Sequence, residues 1–189
     1  MKILSVSYIY LLMGISGYSY ANFDLGINEF NAPNELTELS ELNTSNDNNA
    51  IIELTNATNS QVTIIQHNVN KTGSNKAKVK QTGYDNTAAV MQLGSNNVGL
   101  IAQNGTNNSA TLKQLGLNHE GAILQEGNDN IAHLIQTGNG KQNVVNQTGD
   151  SNIAAAVNKN NGAGFSINQT GNQGIILVNG MDRFISIVN

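Results

Sequence analysis

Glutamine stands at Gln81, Gln92, Gln103, Gln114, Gln125, Gln136, Gln147 and Gln169, in steps of eleven residues, with Asn158 in the one gap. A side-chain amide carries two donor hydrogens and an acceptor oxygen. Buried without a partner, it costs about 1–3 kcal/mol. Stacked on an identical amide one strand away, it can donate to the next and accept from the one before, so a column of amides satisfies itself. Glutamate in such a column would bring like charges together in a dry core. The chemistry open to these residues is a structural hydrogen-bond ladder. Asn75, Asn86, Asn97, Asn108, Asn130 and Asn152 keep the same phase and are assigned to ladders of the same kind.

Other chemistries find little to work with. None of the inward positions between 75 and 180 is acidic, so the facing carboxylates of glycoside hydrolysis are missing. No G-x-S-x-G elbow or Cys/His pairing occurs, and no catalytic residue is assigned. His67, His119 and His133 have no metal-ligand spacing, and no metal or other cofactor is expected. Asp85, Asp129 and Asp150 lack the G-G-x-G-x-D nonapeptide of calcium solenoids and read as solvated turn residues.

A ladder needs strands stacked in register, and the sequence around each glutamine supplies them. Two residues before each Gln lies an aliphatic residue, Val79, Val90, Ile101, Leu112, Ile123, Leu134, Val145 or Ile167. Two residues after comes glycine, at Gly83, Gly94, Gly105, Gly116, Gly127, Gly138, Gly149 and Gly171. The unit Q-x-G-x-x-N-x-A-x-V-x alternates over its last six or seven residues, which is the period of a strand. The x-G-x-x segment reads as a turn, where glycine takes φ > 0 cheaply. Alternate units differ: Asn and Ala hold at 86/88, 108/110, 130/132 and 152/154, whereas 75/77, 97/99, 119/121, 141/143 and 163/165 drift. Two strand types predict two sheets. The fold class is therefore all-β, a two-sheet parallel β-solenoid of cross-β, amyloid-like character with 22 residues per rung. Strands 22 residues apart would stack at about 4.7–4.9 Å. Lys141, an inward lysine at a strand start, is expected to reach the rim with a partly exposed ammonium.

The flanks differ from the repeat. Residues 1–21, with Lys2, an apolar stretch from Ile3 to Ile15 and a small residue at Ala21, read as a signal peptide. Residues 22–48 form an acidic N-terminal arm. Between Asn22 and Asn70 there are seven acids and no Lys or Arg. The run N-E-L-T-E-L-S-E-L-N from Asn34 to Asn43 could form a short amphipathic helix, but its acidity favours a flexible arm. The solenoid is assigned to 49–189, with Ser60-Val62-Ile64-Gln66 as an early strand and Gly174-Ile176-Val178-Gly180 keeping the inward frame late in the chain. Arg183 to Asn189 reads as a final apolar strand, with Arg183, Phe184, Ile185 and Ile187 as an assembly edge. No helical cap is evident there, and an uncapped solenoid end is a template for another strand. Lys76, Lys78 and Lys80 share an outer face, either as a docking stripe for the acidic stretch 24–53 or an acidic partner, or as charge that keeps the chain soluble. No long basic run argues for nucleic acid. Irregular outward positions (Thr87, Val98, Ser109, Glu120, Ile131, Gln142) disfavour the alternative of a monomeric solenoid that binds a surface lattice.

The repeat Q-x-G-x-x-N-x-A-x-x-x-Q, strong over 75–180, resembles the curlin repeat of bacterial curli fibres. Asn22-Phe23-Asp24-Leu25 through Asn34-Glu35-Leu36, and the apolar end around Arg183, resemble the minor, nucleating curlin rather than the major subunit. The resemblance implies a non-enzymatic subunit of an extracellular fibre in biofilm matrix. It implies secretion through the periplasm to the cell surface by an outer-membrane pore with accessory assembly proteins. The implied partners are the major curlin subunit and further copies of the chain itself.

Overall fold

A computed structural model describes residues 8–11, 39, 47–69, 73–159, 163–180 and 185–188. The two-residue alternation becomes fourteen strands among them, β1 (Tyr8–Leu11), β2 (Asn49–Thr58), β3 (Gln61–His67), β4 (Lys76–Tyr84), β5 (Thr87–Ser95), β6 (Val98–Thr106), β7 (Ser109–Leu117), β8 (Glu120–Asn128), β9 (Ile131–Asn139), β10 (Gln142–Thr148), β11 (Ile153–Asn158), β12 (Phe165–Thr170), β13 (Gly174–Asn179) and β14 (Ile185–Val188). Successive strands alternate between two sheets. One has the order β1-β3-β5-β7-β9-β11-β13-β14 and the other β12-β10-β8-β6-β4-β2. Through the centre, pairing is parallel with a step of 22 residues, as in Val90↔Leu112 and Gln92↔Gln114, or Ile101↔Ile123 and Gln103↔Gln125. This is the two-sheet parallel solenoid expected from the period.

The core lies between the sheets. Val79, Ile101, Ile123, Val145 and Ile167 of the six-stranded sheet meet Val90, Leu112, Leu134 and Ala156 of the other in one buried cluster. The drifting positions have a volume reason. A Cβ on Gly121 would stand 2.8 Å from Leu112 Cδ1, and one on Gly99 would stand 2.9 Å from its Cδ2. Glycine makes room on one sheet for leucine on the other, which close-packed interiors require.

Three features depart from the sequence expectation. The strands are longer than six or seven residues: β5 to β9 each have nine, and ladder pairing continues through the glycines (Gly94↔Gly116, Gly105↔Gly127). Gly83, Gly94, Gly105, Gly116, Gly127 and Gly138 are thus each the last residue but one of a strand, Gly149 and Gly171 lie in the turn as expected, and between the central strands the turn proper is the two residues after the strand ends. Its first member holds φ between 55° and 58° at Asp85, Asn96, Asn107, Asn118 and Asp129. Asn and Asp tolerate this left-handed region better than other side-chain-bearing residues.

Secondly, β13 does not keep the expected frame. It pairs Ala154↔Ile175 and Ala156↔Leu177, a step of 21, so Ile175 and Leu177 pack on the core and Ile176 is 52% exposed. A one-residue change in an arc flips every side chain of the following strand. Here it exchanges Gly174 for larger apolar residues inside. Thirdly, the eight-stranded sheet ends in antiparallel strands, β1 on β3 and β14 on β13, whereas the six-stranded sheet ends at β2 and β12. Ile185 and Ile187 lie in β14; Arg183 and Phe184 lie outside the described residues.

Candidate functional site: the amide ladders and the sheet edges

Two glutamine columns run through the core. In the six-stranded sheet, Nε2 of Gln81 donates to Oε1 of Gln103, Gln103 to Gln125, Gln125 to Gln147 and Gln147 to Gln169, each at 2.8 Å. In the other sheet Gln66 donates to Gln92 and Gln92 to Gln114 at 2.8 Å, and Gln114 to Gln136 at 2.9 Å. The second Nε2 hydrogen crosses to the opposite sheet. Gln103 reaches the carbonyl of Thr87 at 3.0 Å, Gln114 that of Val98 at 2.9 Å, and Gln125 that of Ser109 at 3.1 Å. Each such amide therefore ties rung to rung and sheet to sheet, which explains why a fully buried polar side chain is tolerated.

The asparagines point the other way along the axis. Nδ2 of Asn108 donates back to Oδ1 of Asn86 at 3.1 Å, Asn130 to Asn108 at 3.1 Å, and Asn152 to Asn130 at 2.9 Å. Oδ1 of Asn86, Asn108 and Asn130 also accepts the backbone N–H of the asparagine one rung on. The remaining Nδ2 hydrogen goes to a glycine carbonyl, from Asn86 to Gly105, Asn108 to Gly127 and Asn130 to Gly149. Asn75 and Asn97 do the same with Gly94 and Gly116, and Asn97 donates to Asn75 at 3.0 Å.

Each interruption leaves an atom without a partner. Gln81 Oε1 is buried and unbonded because Leu54 stands opposite Gln81 on β2. Asn158, one methylene shorter than glutamine, receives nothing on Oδ1 from Gln136, whose Nε2 turns to the carbonyls of Glu120 and Lys141. Asn158 instead crosses to Oδ1 of Asn143 at 2.9 Å. Asn143, inward on β10, was not singled out by the periodicity; its break from Ala or Gly in that column is the signal that could have found it. Gly138, Gly149 and Gly171 close the remaining strands at positive φ.

His119 and Lys141 take the places after Asn97 in the second asparagine column. Both are buried, and Lys141 is 3% exposed, so the expected escape of its ammonium to the rim does not occur. Burial pulls the Lys141 pKa below the ordinary lysine value. His119 Nε2 lies 3.3 Å from the Leu115 carbonyl, an acceptor that places the ring proton there, and Nδ1 has no partner. Burial lowers the His119 pKa. Hydrogen bonds to the Leu115 and Gly138 carbonyls oppose this, and the Lys141 charge adds to it.

A histidine whose folded pKa is depressed binds a proton more readily in the unfolded chain. Its contribution is present above the unfolded value of about 6.5 and is lost as pH falls from there toward the folded pKa. His119→Asn is expected to remove this acid sensitivity between about pH 7 and 5 and, by extending the ladder from Asn97, to raise stability by about 1 kcal/mol. Guanidinium unfolding of both chains at the two pH values reads this out; equal acid sensitivity in both would refute it.

At the edges, β2 and β12 have no outer partner among the described residues. Lys78 on the outer face pairs with Glu53 of β2 at 3.3 Å, the last acid of the 24–53 stretch that the docking reading places against the lysines.

The family model of the curlin-associated repeat matches residues 83–116 and 105–138, which run from the end of β4 to the last residue but one of β9. The centre of the solenoid is thus similar to the curlin-associated repeat. No curated protein and no solved structure matches the chain.

Proposed function

We propose that this curlin-repeat solenoid is a structural subunit of extracellular curli-type amyloid fibres and acts as the minor subunit that nucleates the major one. The observation that carries the reading is the pair of open, parallel-paired edges at β2 and β12. They present the same backbone ladder that joins rung to rung inside the molecule, and an unpaired edge is a template for a further strand. The nucleating role is favoured by the asymmetry of the ends. A subunit repeated inside a fibre needs both sheets to continue, whereas β14 closes the eight-stranded sheet beyond β13 with an antiparallel strand. Once residues 1–21, and β1 with them, are removed, β3 joins β2 as an open edge at the other end, so one end is half closed and the other offered, which suits the start of a fibre. Under this reading residues 1–21 direct export and are removed, the chain leaves through an outer-membrane pore with accessory assembly proteins, and Arg183, Phe184, Ile185 and Ile187 belong to the surface-attached end.

The test adds the chain at a few per cent of the concentration of freshly desalted major curlin subunit and follows assembly. A shortened lag is the expected result. Fibres formed by this chain alone, with no change in the partner's lag, would make it a major subunit. Chain that stays monomeric for days at micromolar concentration and leaves the lag unchanged would overturn both readings.

A further inference from the structure

The two sheets differ on their outer faces. On the eight-stranded sheet, outward Met91, Ile131 and Ile153 are exposed, as edgewise apolar residues on a free surface are. On the six-stranded sheet, outward Val98, Leu100 and Ala102 of β6 and Ala122 and Leu124 of β8 are all buried, although no further sheet lies beyond them. They form a second apolar cluster, separate from the core, with Ile51 of β2 and Val144 of β10 at its borders. The residue that joins this cluster from outside is Leu39, helical and 3% exposed. The sequence favours a flexible arm here, yet its central leucine is seated on the sheet.

Chemistry on both sides suits the contact. The cluster is a strip only a few rungs long, made of small and medium apolar residues stacked at the strand repeat. Lys76, Lys78 and Lys80 lie along one side of it on β4. Leu39 stands in the sequence between Glu38 and Glu41. A leucine set among acids, against an apolar strip beside a row of lysines, is complementary in both hydrophobicity and charge.

We propose that the outer face of the six-stranded sheet is a docking surface for the chain's own acidic arm, held at Leu39, and that the docked arm keeps this face from associating sideways with a second solenoid. Contiguous exposed apolar surface promotes such contacts. Uncovered, the strip would join two solenoids laterally; covered, it leaves growth to the strand edges. The occupant is the arm of the same chain, because the cluster is complete within one molecule.

The chain has no cysteine, which permits a clean test. Leu39→Cys is combined in turn with Val98→Cys, Ala102→Cys and Leu124→Cys in the full chain and oxidised, with Met91→Cys on the opposite sheet as control. An intramolecular disulfide in at least one of the three, and none with the control, is expected. Failure of all three, or cross-links found only between tagged and untagged copies, would overturn docking by the chain's own arm. Leu39→Asp supplies the second readout: strand content by circular dichroism should be unchanged and side-by-side association of the full chain, followed as dimers and larger species by analytical ultracentrifugation, should rise severalfold. Unchanged association would overturn the covering role. The cross-link reports on the chain itself and succeeds or fails independently of any nucleating activity.

Discussion

Gly105→Ala is expected to destabilise the solenoid by about 2–5 kcal/mol, combining the strain of a left-handed side chain with overpacking. Gly105 has φ +129°, and a Cβ built there would stand 2.0 Å from the carbonyl oxygen of Gly127 on the next rung of the same sheet. That atom is backbone, in a strand held between β6 and β10, so relief requires the rungs to separate. The same oxygen accepts the Nδ2 hydrogen of Asn108 at 2.8 Å, so a shift also breaks the asparagine ladder. One methyl group therefore acts on strand spacing and side-chain ladder together. Gly140→Asn provides the contrast. Its φ is +62° with nothing within 4 Å of a Cβ, and Asn96, Asn107 and Asn118 already hold similar angles at the corresponding positions. That substitution is expected to change stability by less than about 0.5 kcal/mol. Guanidinium midpoints of the two variants check both; equal midpoints would show that the rungs are not packed as described.

The second large effect is expected from Gln103→Glu. Gln103 has no solvent exposure; it accepts from Gln81 and donates to Gln125 and to Thr87. Glutamate can accept the first of these bonds but faces two acceptor oxygens with no hydrogen to give. Removing the donor and burying an unpaired charge is expected to cost about 3–5 kcal/mol at pH 7. Burial raises the folded pKa of such a carboxyl above its unfolded value of about 4.3. The unfolded chain then holds fewer protons, so stability falls as pH rises through that interval and part of the loss should be recovered near pH 4. Gln103→Leu, which removes the same bonds without a charge, should lose less at pH 7 and show no such recovery. If both variants lose the same amount at every pH, the charge is not confined to a dry core.

How much of this was legible beforehand varies with the reach of the interaction. Column membership follows from an eleven-residue spacing and strand alternation, both local features of the chain. The two-sheet division follows from the contrast between Asn-Ala positions that hold and Asn75, Asn97, His119 and Lys141, which drift. The direction of each amide does not follow, because it depends on which carbonyl of the opposite sheet lies within reach. Thr87 for Gln103 and Gly127 for Asn108 are such partners, 16 residues before and 19 after. Asp85 and Asp129 read as solvated turn residues, but the left-handed φ that they share with Asn96, Asn107 and Asn118 belongs to the folded arc. The frame of β13 turned on one residue. The bond from Gln173 N to Asn152 Oδ1 spans 21 positions where the preceding rungs span 22, and only that placement sends Ile175 inward.

The sequence by itself determined the repeat, the rung length, the inward faces and the identity of the stacked amides, because each arises from residues recurring at a constant interval in a strand of period two. Tertiary structure alone decided how the array ends and what covers it. Pairing of Tyr8–Leu11 with β3 and of Ile185–Val188 with β13 is antiparallel, outside any period. Leu39 joins the apolar cluster of Leu100 and Leu124 across more than sixty residues of chain. Contacts of that kind depend on which surfaces remain free once the regular rungs have stacked, and a local pattern carries no record of it.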